Sequence, residues 1–437
     1  MQGTPLNGFP RTSRLVDRIA ASPAARWTNP ADTVDLMKHD AGHLRLLLVA
    51  AKSESVQGLA RDLFLLDDHV ETAIRHDPAA ALDLLEAEPF DAVAADLLLP
   101  DDGATTLLTT LQARFPRVIR LIIADDPTPA VFAQAAHLAH SLLPRPCDAG
   151  TIYETLLDAV ATLRRMRDPA LAAAVAGILA LPESPAMRRE LLGLIADDEI
   201  DIERLEEGLS RNPAIVAKIM QIANSAYFGM RGTVGSVGEA VSLLGLDTVR
   251  GIITAARIFD TLPTRAAGNF PLQELWQHSV ATAVMVRRVA WHVRASAAVN
   301  RAAFTAALLH DVGKLVMLIT HGEAYATLVR RREPAARPLW LEEERVFAHH
   351  HGNAGALLLE LWGLPPAIIE AVALHHTPHR TRDGAATPLT LVHIANALAH
   401  GEASNNFREA QLDHNYLQRL LLPGKLDAWR SAIETSA

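Results

Sequence analysis

The chain has 437 residues, of which 49% are hydrophobic and 21% are charged, and its formal net charge is −9 at pH 7. This length and apolar content are enough for two or three domains with packed cores, and the mildly acidic charge does not favour nucleic acid or anionic membranes as partners. The single cysteine, Cys147, excludes an intramolecular disulfide, and no uninterrupted apolar run reaches the roughly 20 residues of a spanning helix, so we expect a cytoplasmic protein.

Residues 1–40 contain Pro, Asn, Thr, Ser and Arg without sustained periodicity, which predicts a poorly ordered leader, and Met37 is an alternative start. From 41 to 163, short apolar runs alternate with helical stretches. The runs cover residues 44–49, 91–95, 118–123 and 141–143. Strands that alternate with helices predict a doubly wound parallel sheet, so this part of the chain is assigned to the α/β class.

Asp96 directly follows the second of these runs. Ligands of doubly wound sheets bind at the carboxyl ends of the strands, so Asp96 is placed where a site is expected. The order of elements from Leu44 to Leu163 and the stretch Asp96-Leu-Leu-Leu-Pro100-Asp-Asp-Gly103 resemble a response-regulator receiver domain. The resemblance implies that Asp96 occupies the phosphoacceptor position.

The sequence departs from the receiver pattern at several positions. Ala50 and Ala51 replace the acidic pair that holds magnesium, Ala124 replaces the switch Ser or Thr, and Arg145 occupies the lysine position. Phosphoryl transfer requires a cation that neutralises the developing charge, so we do not expect Mg²⁺ here. The prediction is a pseudo-receiver that signals by docking, with slow or unconventional phosphorylation of Asp96 as the alternative.

The second half of the chain is predicted to be all-helical. Residues 151–167 are predicted to form the last helix of the first domain. Its solvated end contains Arg164, Arg165 and Arg167, whose positive charges complement the helix dipole. A linker helix is predicted over 164–180 and a helical domain over 181–437. Asp201 and Asn212 are predicted helix N-caps within it.

Histidines and one aspartate recur across this helical half. Neutral imidazole and carboxylate are the ligand set of a zinc, manganese or iron site. The candidate ligands are His278, His310, Asp311, His351, His375 and His376.

Each of these candidates also has a structural interpretation. A hydrogen-bonded His310-Asp311 pair can be a buried structural unit without metal, with Lys314 as a salt-bridge partner one turn later. His376 can be a surface residue. His349 and His350 are interpreted as solvated neighbours of His351.

An ordered series of motifs carries a second resemblance. The series includes Ile222-Ala223-Asn224-Ser225, Leu275-Trp276-Gln277-His278-Ser279, Leu308-Leu309-His310-Asp311-Val312-Gly313-Lys314 and His351-Gly-Asn-Ala-Gly355-Ala356. It resembles the HDOD domain, an output domain of bacterial signalling proteins that is related to the HD-superfamily metal-dependent phosphohydrolases.

The HDOD resemblance implies a role for each candidate ligand. His278 would be the first ligand, His310 and Asp311 the central pair, and His351 with His375 or His376 the outer ligands. Asn396 occupies the place of the final aspartate. An amide oxygen coordinates without a charge, so the resemblance implies a weakened site. The Gly-Tyr-Pro signature of cyclic di-GMP phosphodiesterases is absent near Asp383-Gly384, which argues against that activity.

Two functional hypotheses follow. The first is a bacterial signal-transduction regulator in which a degenerate receiver is coupled to a non-catalytic HDOD domain, with other signalling proteins as partners and a homodimer as one option. The second is a metal-dependent phosphohydrolase or phosphodiesterase that acts on a nucleotide. The first is favoured because the substitutions fall on the charged ligands that catalysis needs most.

Overall fold

The computed structural model describes residues 43–51, 53–125, 127–166, 168–182, 185–197, 200–229, 232–255, 270–330, 337–381, 386–402 and 412–420. The predicted leader over 1–40, with Met37, lies outside the described residues. Arg167 and the Asp383-Gly384 step also lie outside them.

The first part of the chain alternates strands and helices. These elements are β1 (Leu44–Val49), α1 (Ser53–Leu66), β2 (Val70–Arg75), α2 (Pro78–Ala87), β3 (Ala92–Asp96), α3 (Gly103–Arg114), β4 (Ile119–Ala124), α4 (Pro129–Ala136), β5 (Ser141–Pro144) and α5 (Ala149–Arg164). The five strands pair in parallel in the order β2-β1-β3-β4-β5. The predicted α/β fold is therefore confirmed, with the strand order of flavodoxin-like sheets.

The extent to which each strand is buried explains which strands could be predicted from the sequence. Every residue of β4 is buried, and so are most residues of β1 and β3, as expected for central parallel strands covered on both faces. β2 was not predicted. It lies at the edge of the sheet, and only Val70 of its six residues is buried, so its sequence mixes polar and apolar residues without a continuous apolar run.

The described residues of the rest of the chain are mainly helical, as predicted. Its helices are α6 (Pro169–Gly177), α7 (Pro185–Ile195), α8 (Ile202–Leu209), α9 (Pro213–Ala223), α10 (Val237–Leu244), α11 (Leu246–Ala255), α12 (Leu272–Val293), α13 (Ala297–Leu309), α14 (Gly313–His321), α15 (Glu323–Arg330), α16 (Leu339–Phe347), α17 (His351–Leu361), α18 (Pro366–Leu374), α19 (Pro388–Glu402) and α20 (His414–Arg419). Short 3-10 turns cover Ala226–Phe228 and Pro378–Arg380.

The predicted helix caps are confirmed. Asp201 accepts a hydrogen bond from the Arg204 backbone N–H, and Asn212 accepts one from the Ile215 N–H, with Pro213 in the first turn. Each cap satisfies an N–H group that the helix leaves unpaired, which is worth about 1 kcal/mol.

The predicted solvated end of α5 is wrong for Arg165. Its guanidinium is buried and pairs with Glu360 of α17 at 2.6 Å. Arg164 instead pairs with Asp91 at 2.8 Å within the sheet domain. Arg165 therefore connects α5 to α17, because it has a long-range acidic partner that local sequence does not reveal.

One stretch, Ala297–Arg330, has the length and apolar composition of a membrane-crossing helix. In the fold it spans α13, α14 and α15, and 83% of its most apolar window is buried inside the protein. Such burial accounts for its hydropathy as part of the helical core.

Candidate metal centre

The predicted ligands converge in the helical part although they come from five helices. His278 lies on α12, the His310-Asp311 pair follows α13, and His351 begins α17. His375 and His376 follow α18, and Asn396 lies on α19. All of them except His376 are buried.

Two glycines allow the close approach of α14 and α17 beside this cluster. A Cβ on Gly313 would lie 1.7 Å from the carbonyl oxygen of His351 and 2.6 Å from the nitrogen of Gly355. Only glycine fits such a backbone contact. The glycine of the His-Asp-x-Gly-Lys segment therefore places His351 next to Asp311.

Asp311 lies at the centre of the cluster. Its Oδ2 is 3.3 Å from Nε2 of His310 and 3.9 Å from Nε2 of His278. Its Oδ1 is 3.4 Å from Nε2 of His351 and 4.0 Å from Nε2 of His375. One carboxylate therefore joins two groups of imidazoles, His278 with His310 on one side and His351 with His375 on the other.

Hydrogen bonds fix the orientation of three imidazoles. Nδ1 of His310 and of His375 each donates at 2.7 Å to the carbonyl three residues earlier in the chain. Nδ1 of His351 donates at 2.6 Å to the buried carboxylate of Glu343. With the proton on Nδ1, each Nε2 presents a lone pair towards Asp311, which is the arrangement that outer-shell partners impose on metal-binding histidines.

Several acceptors in this cluster have no hydrogen-bond donor. Nε2 of His310, Nε2 of His375 and Oδ1 of Asp311 are buried and lack a hydrogen-bond partner among the described residues. Burial acts to raise the pKa of Asp311, but the neighbouring His310 and Lys314 outweigh burial and hold that pKa well below its usual range. Burial lowers the pKa of His375 well below its usual range. A carboxylate and neutral imidazoles with unsatisfied lone pairs fit a divalent cation.

Lys314 occupies the other side of Asp311. Its Nζ lies 2.9 Å from Oδ2, and both side chains are fully buried. The predicted salt bridge is confirmed. It supplies one positive charge to the carboxylate and leaves Oδ1 facing the outer histidines.

Asn396 contacts His278, the predicted first ligand. Its side-chain amide contacts Nε2 of His278 at 2.9 Å, and both groups are buried. The position predicted for a final acid is therefore part of the cluster but brings no charge. A hydrogen bond replaces the ionic contact that an aspartate would make there.

The solvated interpretation is wrong for His350, whereas His349 and His376 are half-buried, between the surface and the buried extremes. His350 is 2% exposed and accepts the Gly352 N–H that starts α17. His376 places Nε2 3.0 Å from Nε2 of His351, and its ring stacks on Trp340. His349 is half-buried. Local polarity of the sequence predicted exposure, whereas Trp340 of α16 packs against His350 and helps to bury it.

Sequence reasoning missed Glu343. Its Oε1 accepts the Tyr325 hydroxyl at 2.7 Å, and its Oε2 accepts both the backbone N–H and Nδ1 of His351. Nothing in the acidic run of α16 distinguishes Glu343 from its exposed neighbours except its helical phase. The side chain acts through His351 by fixing its ring.

Asp96 has a different environment at the carboxyl end of β3. Its Oδ2 accepts from the Arg145 guanidinium at 2.5 Å, and its Oδ1 accepts from the Leu98 N–H at 3.0 Å. Ala50 lies beside it in a cavity of about 150 Å³. Arg145 thus neutralises the carboxylate where a bound cation would otherwise be needed.

The comparison with protein families agrees with the second resemblance. Residues 181–378 match the HDOD domain model. The chain contains an HDOD domain. The match includes every candidate ligand from His278 to His376, while Asn396 lies beyond its end. The sheet domain is outside the matched residues.

Individual relatives are distant. An uncharacterized protein of Treponema pallidum is 21% identical over 286 residues, which are 62% of this chain and 53% of that protein, so the chain spans about half the length of this relative. The MmoQ response regulator of Methylococcus capsulatus is 26% identical over 57% of this chain and 98% of its own, with a TM-score of 0.46. An HDOD domain protein of Geobacter sulfurreducens is 21% identical over 61% and 96%, with a TM-score of 0.35.

Proposed function

We propose that this protein is a cytoplasmic bacterial signalling adaptor, in which a pseudo-receiver sheet domain acts on a non-catalytic HDOD domain through direct contact. The HDOD domain then docks another signalling protein. The observation that carries the proposal is the buried polar junction between the two domains, which gives a change in one domain a physical route to the other.

Lys218 lies at the centre of this junction. From α9 of the HDOD domain, its buried Nζ donates to the carbonyl of Ala136 at 2.6 Å, to that of Leu179 at 2.8 Å and to Oε1 of Gln221 at 2.9 Å. Ala136 ends α4 of the sheet domain. The three acceptors match the three N–H groups of an ammonium, so separation of the domains would leave buried polar groups unpaired.

Further contacts extend the junction along α4 and β5. Nε2 of His137 donates to the carbonyl of Ile252 at 3.3 Å, and Nε2 of Gln221 donates to the carbonyl of His140 at 3.2 Å. At Gly251, α11 approaches α4 so closely that a Cβ would lie 3.1 Å from a backbone oxygen. Hydrogen bonds and close backbone packing therefore connect the carboxyl-terminal half of the sheet domain to the HDOD domain.

The environment of Asp96 supports a pseudo-receiver. The carboxylate already pairs with Arg145, and Ala50 offers no ligand for a cation. Phosphorylation would require both a cation and displacement of this arginine. We therefore infer that the input to this domain is a bound partner.

A metal-dependent phosphohydrolase acting on a nucleotide is the second candidate. The converging Nε2 atoms of His310, His351 and His375 favour it. A divalent cation held by these residues, with Asp311 and His278, would polarise a phosphate and activate water. Against catalysis, His310, Asp311 and His351 are all 0% exposed, so a substrate phosphate has no direct approach to them. A metal in this site would then stabilise the fold.

One experiment separates the two functions. Purified full-length protein is assayed against a panel of nucleotides and phosphodiesters with Mn²⁺, Zn²⁺ or Fe²⁺, beside the Asp311→Asn variant. We expect no turnover above the variant. Turnover that disappears in Asp311→Asn would make the protein an enzyme and overturn the adaptor proposal.

A second experiment tests the input. The protein is incubated with acetyl phosphate and Mg²⁺, and its intact mass is measured beside that of Asp96→Asn. We expect no phosphoryl adduct in either protein. An adduct present only in the wild type would overturn the pseudo-receiver.

A further inference from the structure

A second cluster of ligating side chains lies at the start of the connecting helix α6. Asp168, His321 and His349 each offer one ligand atom, and these atoms lie within 4.8 Å of one another. Asp168 precedes α6, His321 ends α14, and His349 precedes α17. All three side chains are half-buried, so a cation can reach them from solvent.

The spacing of the two imidazoles suits a tetrahedral cation. Nε2 of His321 lies 3.2 Å from Nε2 of His349. Two nitrogens bound tetrahedrally to zinc at about 2.0–2.1 Å lie about 3.3 Å apart. The two ring nitrogens therefore need little rearrangement to share one ion.

Neighbouring groups hold both rings in this orientation. His321 stacks on Phe347 with ring centroids 4.1 Å apart and an interplanar angle of 19°. The His349 ring is hydrogen-bonded to the backbone carbonyl of Phe347. A backbone carbonyl partner is the usual outer-shell contact of a metal-binding histidine.

Asp168 supplies the negative charge. Oδ1 caps α6 by accepting the Ala170 N–H at 2.8 Å, which leaves the second carboxylate oxygen for a cation. Glu343, which is hydrogen-bonded to His351, adds a further negative potential at His321 and His349. Burial lowers the pKa of both imidazoles, which keeps them neutral and able to bind a cation, while Asp168 and Glu343 supply the nearby negative charge.

We propose that Asp168, His321 and His349 bind a divalent cation of the zinc type at a site separate from the cluster around Asp311. The site has two imidazoles and one carboxylate, with water as the fourth ligand. Because Asp168 begins α6 and both histidines belong to the HDOD domain, the bound cation fastens the connecting helix to that domain. This inference does not depend on the adaptor function.

The test uses Co²⁺ as a visible probe of tetrahedral coordination and Zn²⁺ titration calorimetry on the full chain. His321→Gln and His349→Gln each remove a ligand, and His414→Gln, on an exposed part of α20, is the matched control. Asp168→Asn removes the charge but keeps a residue that caps helices well. Circular dichroism checks that every variant is folded.

We expect the wild type and His414→Gln to bind one more equivalent of metal than His321→Gln and His349→Gln. In Asp168→Asn, affinity for that equivalent should fall by more than about tenfold, the loss typical of removing even an outer-shell partner. Equal binding by the wild type and both histidine variants would overturn the site. An unchanged metal affinity in Asp168→Asn would show that Asp168 is not a ligand, and therefore that the cation does not connect α6 to the HDOD domain.

Discussion

Asp96 and Asp311 are two carboxylates that the sequence placed at candidate sites, and their surroundings differ. Asp96 pairs with Arg145 and the Leu98 N–H, so its two oxygens are satisfied by the chain itself. Asp311 pairs with Lys314 through Oδ2 only, while Oδ1 faces imidazole nitrogens without a hydrogen bond. The Asp96 carboxylate is neutralised by the Arg145 guanidinium, whereas the cluster around Asp311 has more hydrogen-bond acceptors than donors.

This difference shows that two carboxylates at predicted sites can have opposite surroundings. Beside Ala50, Arg145 neutralises the Asp96 carboxylate. Around Asp311, where Asn396 contributes no charge, the unpaired acceptors still fit a cation.

The largest effect is expected from Asp311→Ala. The substitution leaves the fully buried Lys314 without its counter-charge, which costs about 3–5 kcal/mol. Adding Lys314→Met removes that charge, so the double variant should recover a large part of the loss in urea unfolding. A double variant as unstable as Asp311→Ala would show that Asp311 does not stabilise the fold through its ion pair with Lys314.

The next test is the pH dependence of stability, which reports on the junction between the sheet domain and the HDOD domain. Burial and the Arg120 charge lower the pKa of Lys218 to about 7. Between pH 7 and pH 10 the unfolded chain then binds more protons than the folded one, so stability rises with pH by at most about 1.4 kcal/mol per unit. The rise should be smaller in Lys218→Met. Equal pH slopes for the two proteins would contradict this account of the junction.

A smaller loss is expected from Gly251→Leu. The new side chain collides with α4 at the junction, and overpacking of this kind costs about 1–3 kcal/mol. Gly58→Leu on α1 is the matched control, because nothing lies within 4 Å of a Cβ there. Hydrogen exchange should increase on both sides of the junction only in Gly251→Leu. The same exchange pattern in both variants would contradict direct coupling.

The smallest effect is expected at Asp96. Arg145→Ala breaks a partly buried ion pair, which we expect to cost about 1 kcal/mol, and Arg114→Ala, which breaks an exposed pair with Glu86, should cost less. Thermal unfolding of the two variants measures the difference. An Arg145→Ala variant that is no less stable than Arg114→Ala would mean that Arg145 does not close the site.

Much of the fold follows from local sequence patterns. The central strands are continuous apolar runs, and the caps Asp201 and Asn212 lie where hydrophobic helical periodicity begins. The edge strand β2 was missed because its exposed positions are polar. Periodicity reports burial, so an element that buries only one residue gives a weak signal.

The candidate ligands of the metal centre were predicted from the sequence, whereas the residues that orient and pack against them were not. The motif order brought His310, Asp311 and His351 together, whereas Glu343 and the Arg165–Glu360 pair depend on contacts between distant helices. Neighbouring histidines also separate in space: His349 faces His321, whereas His351 faces Asp311. A step of two residues along the chain is enough to point a side chain towards a different site, and only the fold shows which site.

The most direct test of the contrast between Asp96 and Asp311 is calorimetric titration of Mn²⁺ into the full-length protein. It is done in the His321→Gln variant so that the Asp168 site does not contribute, and then with Asp311→Asn or Asp96→Asn added. We predict binding that Asp311→Asn abolishes and Asp96→Asn leaves unchanged. No binding at all, or binding that depends on Asp96 and not on Asp311, would contradict the account.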